Sequence, residues 1–299
     1  MYDIVVIGGG PAGLTAAIYA RRANKNVLVL EAQAFGGQII STLKIDNYPG
    51  LYNVSGMDFA NNLEEQAKAL GATLKYEKAI EINTKEMEVV TVKNVYKTKA
   101  IILALGVKPR KLDLPNEEEL IGKGISYCAT CDGNFFKNKV VAVNGGGNAA
   151  LEDALYLTDI AKKVYLIHRR DTFRAEDKTI SMLKKKDNIT FVLNSNITSI
   201  NGKDHLESVE VTDNEGNKNV IEVDGLFEAI GQIPENSNII DELELDQFGY
   251  IVTDENMHTN LPHIYAAGDI RQKTLRQLTT ATADGSIAAT EAIKDIANN

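Results

Sequence analysis

Cys128 and Cys131 are the only cysteines in the 299-residue chain, and they stand two residues apart in Cys128-Ala129-Thr130-Cys131, with Asp132 directly after. Sulfurs at this spacing can close and reopen a disulfide, and the thiolate form is the nucleophile in exchange. A secreted protein using disulfides for stability would not usually place its only pair so close, so the pair reads as chemical. A zinc site is the main alternative. It needs two more ligands, and the four histidines do not form a second ligand pair of usual spacing. Inert cysteines are the blandest reading, which leaves the position of the pair between two nucleotide motifs without a reason.

Those motifs emerge when the chain is slid along itself. Gly8-Gly9-Gly10-Pro11-Ala12-Gly13 through Val27-Leu28-Val29-Leu30-Glu31 aligns without a gap on Gly145-Gly146-Gly147-Asn148-Ala149-Ala150 through Val164-Tyr165-Leu166-Ile167-His168. Each copy reads as strand, glycine turn, helix, strand. In the spacing Gly8-x-Gly10-x-x-Gly13 the first glycine makes a tight turn, the second admits a pyrophosphate, and the third lets helix pack on strand. The helix start at Pro11, Ala12 and Gly13 then stabilises phosphate charge. Glu31, ending the second strand, suits the hydroxyls of an adenosine ribose. In the second copy His168 replaces that acid, and Arg169, Arg170 and Arg174 follow. A carboxylate repels a ribose 2′-phosphate, whereas guanidinium groups bind it by charge-assisted hydrogen bonds. The first site therefore suits FAD. The second, with Gly145, Gly147, Asn148 and Ala149 at its turn, suits NADPH. The competing readings are an ordinary tight turn and a solvated basic patch.

The elements that must position these residues follow from pattern. Asp3 to Ile7 is an apolar run ending at the glycines, Pro11 suits the opening turn of a helix, and Val27 to Leu30 is the next strand. Phe35-Gly36-Gly37-Gln38 and Asp46-Asn47-Tyr48-Pro49-Gly50 are rich in residues that make turns near a ligand. Residues Ala79 to Leu105 alternate short β-type runs with polar breaks, as a small meander does, and Ile189 to Val223 repeats the pattern. Ile264 to Asp269 is a strand running into a glycine-acid turn at Gly268-Asp269, suited to the ribityl or pyrophosphate part of a flavin, and Thr279 to Ala297 reads as a helix. The expected fold is α/β, with boundaries inferred from the repeat: 1–110 and 233–299 as two parts of an FAD-binding domain, and 111–232 as an NADPH-binding domain carrying the cysteines.

Length alone favours two domains, since single cores stop growing near roughly 250–300 residues. A formal charge of −9 argues against a nucleic-acid partner, which needs clustered Lys and Arg over a broad surface. No run of about 18 apolar residues suggests a membrane span, and the N-terminus enters a strand without a basic leader, so a cytoplasmic protein is expected.

The order of these motifs, with His168-Arg169-Arg170-Asp171-Thr172-Phe173-Arg174-Ala175 and Ala267-Gly268-Asp269, resembles low-molecular-weight thioredoxin reductases over nearly the whole chain. The resemblance implies two Rossmann-like domains of three-layer ββα type, with the NADPH domain inserted in the FAD domain. It implies a homodimer that alternates between two domain orientations about hinges near Arg110 and Gln232, with thioredoxin or a similar small redox protein as partner. Cys131 would lie against the isoalloxazine, Cys128 would attack the partner disulfide, and Asp132 would act as acid or base. Gly37, Gln38, Asn47 and Gly106 become flavin contacts, as do Arg276 and Gln277 in an Arg276-Gln277-Leu278 segment where relatives have Arg-Gln-Ala. Ala104-Leu105-Gly106 departs from the family's Ala-Thr-Gly, so a hydroxyl near the flavin is absent. The alternatives are a ferredoxin-dependent flavin thioredoxin reductase, which has no use for the arginines, a flavoprotein ferredoxin–NADP reductase, which lacks the cysteine pair, and a nucleotide sensor without turnover.

Overall fold

The computed structural model describes residues 1–42, 44–45, 47–235 and 239–298; Asp46, expected in a ligand-side turn, lies outside them. The chain opens with strand β1 (Tyr2–Ile7), helix α1 (Pro11–Arg22) and β2 (Val27–Glu31), followed by α2 (Gly56–Ala69) and β3 (Thr73–Tyr76). Then come β4 (Ala79–Asn83), β5 (Glu88–Thr91) and the long β6 (Val95–Leu103). A short strand, β7 (Val107–Pro109), leads into the second part: α3 (Glu117–Leu120), β8 (Ile125–Ser126), α4 (Ala129–Asp132), β9 (Val140–Asn144), α5 (Asn148–Thr158), β10 (Lys163–Ile167), α6 (Asp177–Leu183) and β11 (Ile189–Val192). Strands β12 (Ser195–Asn201), β13 (Ser208–Asp213), β14 (Lys218–Glu222) and β15 (Gly225–Glu228) complete it. After the short β16 (Gln232–Pro234), the chain ends with β17 (Ile264–Ala266) and α7 (Leu278–Asn298).

Two compact units result: Met1–Lys108 with Ile233–Asn299, and Pro109–Gln232. In the first, β3, β2, β1, β6 and β17 form a parallel sheet, with Val5 beside Leu28 on one side and Ile101 on the other. The leading half of β6 leaves that sheet to join β5 and β4 as an antiparallel meander. Ile4–Ile7 and Val27–Leu30 are all buried, because a parallel strand is covered on both faces. One face packs on α1 and α7 through Leu14, Ala17, Ala288 and Ala289, and the other holds Val5, Leu28, Ile82, Val89 and Ile264.

The second unit repeats the plan. Its parallel sheet runs β11-β10-β9-β15-β8, with α5 and α6 packed on one face. The antiparallel β12-β13-β14 meander covers the other through Ile197, Ile200, Val209 and Val211. Both units are thus Rossmann-like three-layer ββα arrangements, and the second is an insertion into the first. Each unit ties its own chain ends: Glu235 N–H donates to Gly106 O at 3.1 Å in the first, and Arg110 N–H to Gly231 O at 3.0 Å in the second.

Helices α1 and α7 approach so closely that a Cβ on Gly285 would stand 2.1 Å from the carbonyl oxygen of Ala12. Alanine exceeds glycine in helix propensity by about 1 kcal/mol, so propensity alone favours substitution. Overpacking against backbone costs about 1–3 kcal/mol and outweighs it. Gly285→Ala is therefore expected to lower the urea midpoint of unfolding; an unchanged or higher midpoint refutes the close approach.

Candidate functional site

The expected site residues fall into three constellations, one in the first unit and two in the second. In the first, β1 delivers the chain to Gly8 at φ 109°, where a Cβ would meet Ala104 O at 2.2 Å. The turn must be glycine because the chain leaving β6 already fills that space. Gly13 packs equally tightly, its Cβ position lying 1.9 Å from Gly8 O. Gly10 differs: the nearest atom to its Cβ position is Gly37 Cα at 3.9 Å. Gly10 and Gly37 thus face each other as bare backbone. Gly10 also caps α1 without a side-chain hydrogen bond, Pro11 occupies the first turn, and no acidic residue stands there. The amides of Ala12 and Gly13 belong to the helix start, where a phosphate is stabilised by unsatisfied N–H groups and the helix dipole.

Glu31 is held beside this turn by two backbone amides, Gly9 N–H to Oε2 and Gln33 N–H to Oε1, each at 2.7 Å. Each oxygen keeps acceptor capacity for a ribose hydroxyl. Gly268, at φ 82°, brings the Gly268-Asp269 turn against the same helix start, its Cβ position 2.9 Å from Ala12 Cβ. Asp269 Oδ1 is buried, and no donor among the described residues reaches it. Burial pushes the Asp269 carboxyl above the usual range, against the opposing pull of Lys273 and Arg276. A buried acceptor without a donor calls for a hydroxyl from outside the chain. Bare backbone for a pyrophosphate, Glu31 for a ribose and Asp269 for a further hydroxyl together fit a dinucleotide.

The remaining expected contacts of this unit serve partly to hold one another. Gln38 Nε2 donates to Val107 O, and Asn47 Nδ2 donates to Gln277 Oε1 at 3.0 Å. Arg276 lies over the Tyr250 ring, 3.8 Å from its centroid, and its Nε donates to Asp269 O at 3.2 Å. Gly106, at φ 71°, has open space where a Cβ would stand. Asp284 escaped sequence reasoning. This buried residue of α7 accepts from Gly268 N–H at 3.1 Å and pairs with Lys273 Nζ at 2.7 Å and Arg271 Nη1 at 3.3 Å. Its only sequence signal is a charge on the alanine-lined face of a helix.

The second unit builds its turn by the same device. Gly145, at φ 152°, would place a Cβ 2.5 Å from Ala229 O, and Gly147 caps α5 with only Arg174 O as near as 4.0 Å. Asn148 Oδ1 accepts Glu176 N–H at 2.9 Å, Ala149 follows in the first turn of α5, and Arg174 N–H donates to Gly146 O at 2.8 Å, so the arginine loop is tied to the turn. Arg169, Arg170 and Arg174 are exposed, and among the described residues no ion pair engages their guanidinium groups. His168 lies elsewhere than the arginines: it is buried beneath the turn, its ring 2.1 Å from where a Gly146 Cβ would be. Its Nε2 bonds Thr172 O at 3.2 Å, and Phe173 stacks on the ring. Burial, and then the three arginines, depress its pKa, so it stands neutral and shapes the loop.

In the same unit Cys128 and Cys131 form a disulfide, with Cα atoms 5.3 Å apart. Cys128 caps α4, and Cys131 N–H points at Cys128 Sγ from 3.2 Å. An amide aimed at one sulfur favours its thiolate when the bond opens. Ser126, which sequence reasoning missed, accepts Cys128 N–H at 3.1 Å and donates to Asp132 Oδ2 at 2.7 Å. It fixes the carboxylate relative to the segment bearing the pair. Among the described residues, no helix is long and apolar enough to cross a membrane.

Comparison with known proteins agrees with this geometry. The family model described as pyridine nucleotide-disulphide oxidoreductase matches residues 2–285. A thioredoxin reductase of Listeria monocytogenes is 43% identical over 298 residues, covering 98% of this chain and 93% of that protein. One from Peptoclostridium acidaminophilum is 42% identical over an alignment covering 100% of this chain and 98% of its own. The crystal structure of thioredoxin reductase from Streptococcus pyogenes superposes with a TM-score of 0.94 at 38% identity, covering 100% of this chain and 99% of that one. Two glycine turns, a redox-capable cysteine pair and a match across nearly the full length place this chain in the pyridine nucleotide-disulphide oxidoreductase family.

Proposed function

We propose that the protein is an NADPH-dependent thioredoxin reductase, binding FAD in the first unit and NADPH in the second and passing electrons through Cys128–Cys131 to the disulfide of thioredoxin. The observation that carries the reading is the closed Cys128–Cys131 disulfide, flanked by a held carboxylate at Asp132, in the unit whose glycine turn is bordered by three exposed arginines. Domains 1–110 with 233–299 and 111–232 are the cofactor-binding parts of this proposal. Gly10, Gly37, Glu31 and Asp269 are its principal FAD contacts, and Gly147, Arg169, Arg170 and Arg174 its principal NADPH contacts. A homodimer and a cytoplasmic setting complete it, the latter because exchange with thioredoxin requires a reducing compartment.

Flavin and nicotinamide, when bound, would supply the hydride transfer, which no side chain performs. The chain's own residues do the rest. With the pair reduced, the Cys128 thiolate attacks one sulfur of the partner's disulfide, forming a mixed disulfide and releasing the other sulfur as a thiolate. Asp132 supplies the proton that this leaving group needs. Cys131 sulfur then attacks Cys128 Sγ, which restores the internal disulfide and releases the second partner thiol. Two electrons leave the pair and two thiols form on the partner. Glu31 favours the dinucleotide without a 2′-phosphate at the first turn, and the arginines favour the one with it at the second.

Stoichiometric NADPH should bleach the flavin absorbance of the purified protein under anaerobic conditions. In a coupled assay with thioredoxin, Cys128→Ser and Cys131→Ser should each abolish turnover; parental turnover in either sinks the assignment. Arg169→Ala combined with Arg170→Ala removes charge-assisted bonds of about 1.5–3 kcal/mol each, so KM for NADPH should rise by about a hundredfold or more. KM for NADH should stay within about twofold. An equal rise for both nucleotides contradicts a 2′-phosphate role.

A further inference from the structure

Glu228 takes no part in the chemistry above, yet it is among the least exposed charged residues of the second unit, at 4%. It ends β15, a central strand, opposite Asn144, the last residue of β9; its neighbour Phe227 stands opposite Ser126 of β8. Among the described residues, no N–H or O–H donor reaches either carboxyl oxygen. A second carboxyl, that of Glu117, faces it and is only 1% exposed. Glu117 has the opposite character. It accepts Leu112 N–H at 3.0 Å, Leu114 N–H at 3.2 Å and the Tyr127 hydroxyl at 3.2 Å. The other ionisable groups facing Glu228 are Asp113, Lys111 and Tyr127 itself.

Two buried carboxyls cannot both be charged cheaply. Glu117 accepts three hydrogen bonds whereas Glu228 accepts none among the described residues, so a charge on Glu228 has nothing to offset its burial. Burial, then the Glu117 charge, push the Glu228 pKa up to about 8. Burial and both glutamates also raise the Tyr127 pKa, so its hydroxyl stays a donor. Tyr127 is joined directly to Cys128.

We propose that Glu228 is a positioning residue for the redox pair, a buried carboxyl that must hold its own proton for Glu117 to keep its grip on Tyr127. When Glu228 loses that proton, like-charge repulsion loads the Glu117–Tyr127 bond, and the added negative charge disfavours a thiolate in the segment that follows. The inference rests on the reading of Cys128–Cys131 as an exchanging pair.

The test uses the purified full-length protein, reduced with dithiothreitol, freed of it, and alkylated with iodoacetamide between pH 6.5 and 9.5. Glu228→Gln keeps the shape of the side chain and removes the proton. It should alkylate as the parent does at pH 6.5, while above pH 8 the parent lags behind it by about threefold, the effect of one like charge screened by the protein's effective dielectric. Tyr127→Phe lacks the gripped hydroxyl and should lag behind the parent already at pH 6.5, where Glu228 holds its proton. Superimposable parent and Glu228→Gln profiles overturn the proposal, as does a Tyr127→Phe profile that superimposes on the parent's at pH 6.5. Urea midpoints give a second reading. A carboxyl with a raised folded pKa costs nothing below its unfolded value and costs progressively more up to its folded value. The stability advantage of Glu228→Gln should therefore grow from about pH 4.5 to about pH 8 and then level; an advantage independent of pH overturns the proposal. Neither measurement uses NADPH or thioredoxin, so failure here is distinguishable from failure of the reductase assignment.

Discussion

A main-chain carbonyl set against a glycine organises both units. Ala104 O, just beyond β6, would be 2.2 Å from a Cβ on Gly8, and Ala229 O, just beyond β15, would be 2.5 Å from one on Gly145. No other residue type fits either position, whose φ angles are also positive. The tightness is what allows the first strand, the turn and the following helix to lie so close to the strand beside them. The helix start then reaches the carboxyl edge of the sheet, where ligands of open α/β sheets bind. Remove the contact and the bare backbone at Gly10 and Gly147 no longer lies at the edge of the sheet.

On this shared frame the two units diverge through a few side chains. Glu31 is anchored by Gly9 and Gln33 amides and keeps capacity for hydroxyls, whereas His168 is turned under Gly146 and shapes a loop of arginines. The same register position therefore acts at the surface in one unit and beneath it in the other. Asp284 stabilises the first site from behind through Lys273, Arg271 and Gly268, and Ser126 does so for Asp132 in the second. These supporting groups fix orientation more than they bind.

The glycine turns, the flanking strands, the first meander and the cysteine pair were legible in the sequence because each is a local pattern, whereas the second meander begins at Ser195 and not at Ile189, since Ile189–Val192 pairs in parallel with β10. The ungapped repeat exposed the shared plan of the two units. Supporting contacts were not legible. Lys273 reaches Asp284 only after β17 has turned the chain into α7, and Glu117 meets Glu228 only once β8 and β15 pair. The position of His168 was equally hidden, since register places it after β10 but only packing shows its ring under Gly146. Burial and long-range pairing decide these features, and neither is written in spacing.

The order in which the chain is made gives the insertion a further consequence. Every strand and helix of the second unit lies within one continuous stretch, so its core can close as soon as that stretch has left the ribosome. The first unit must wait, because β17 completes its parallel sheet and α7 covers the face of α1. Until then Leu14, Ala17 and Ile102 lack their partner helix. The first unit thus closes after the second, and its apolar surface stays open while the whole of the second unit is made.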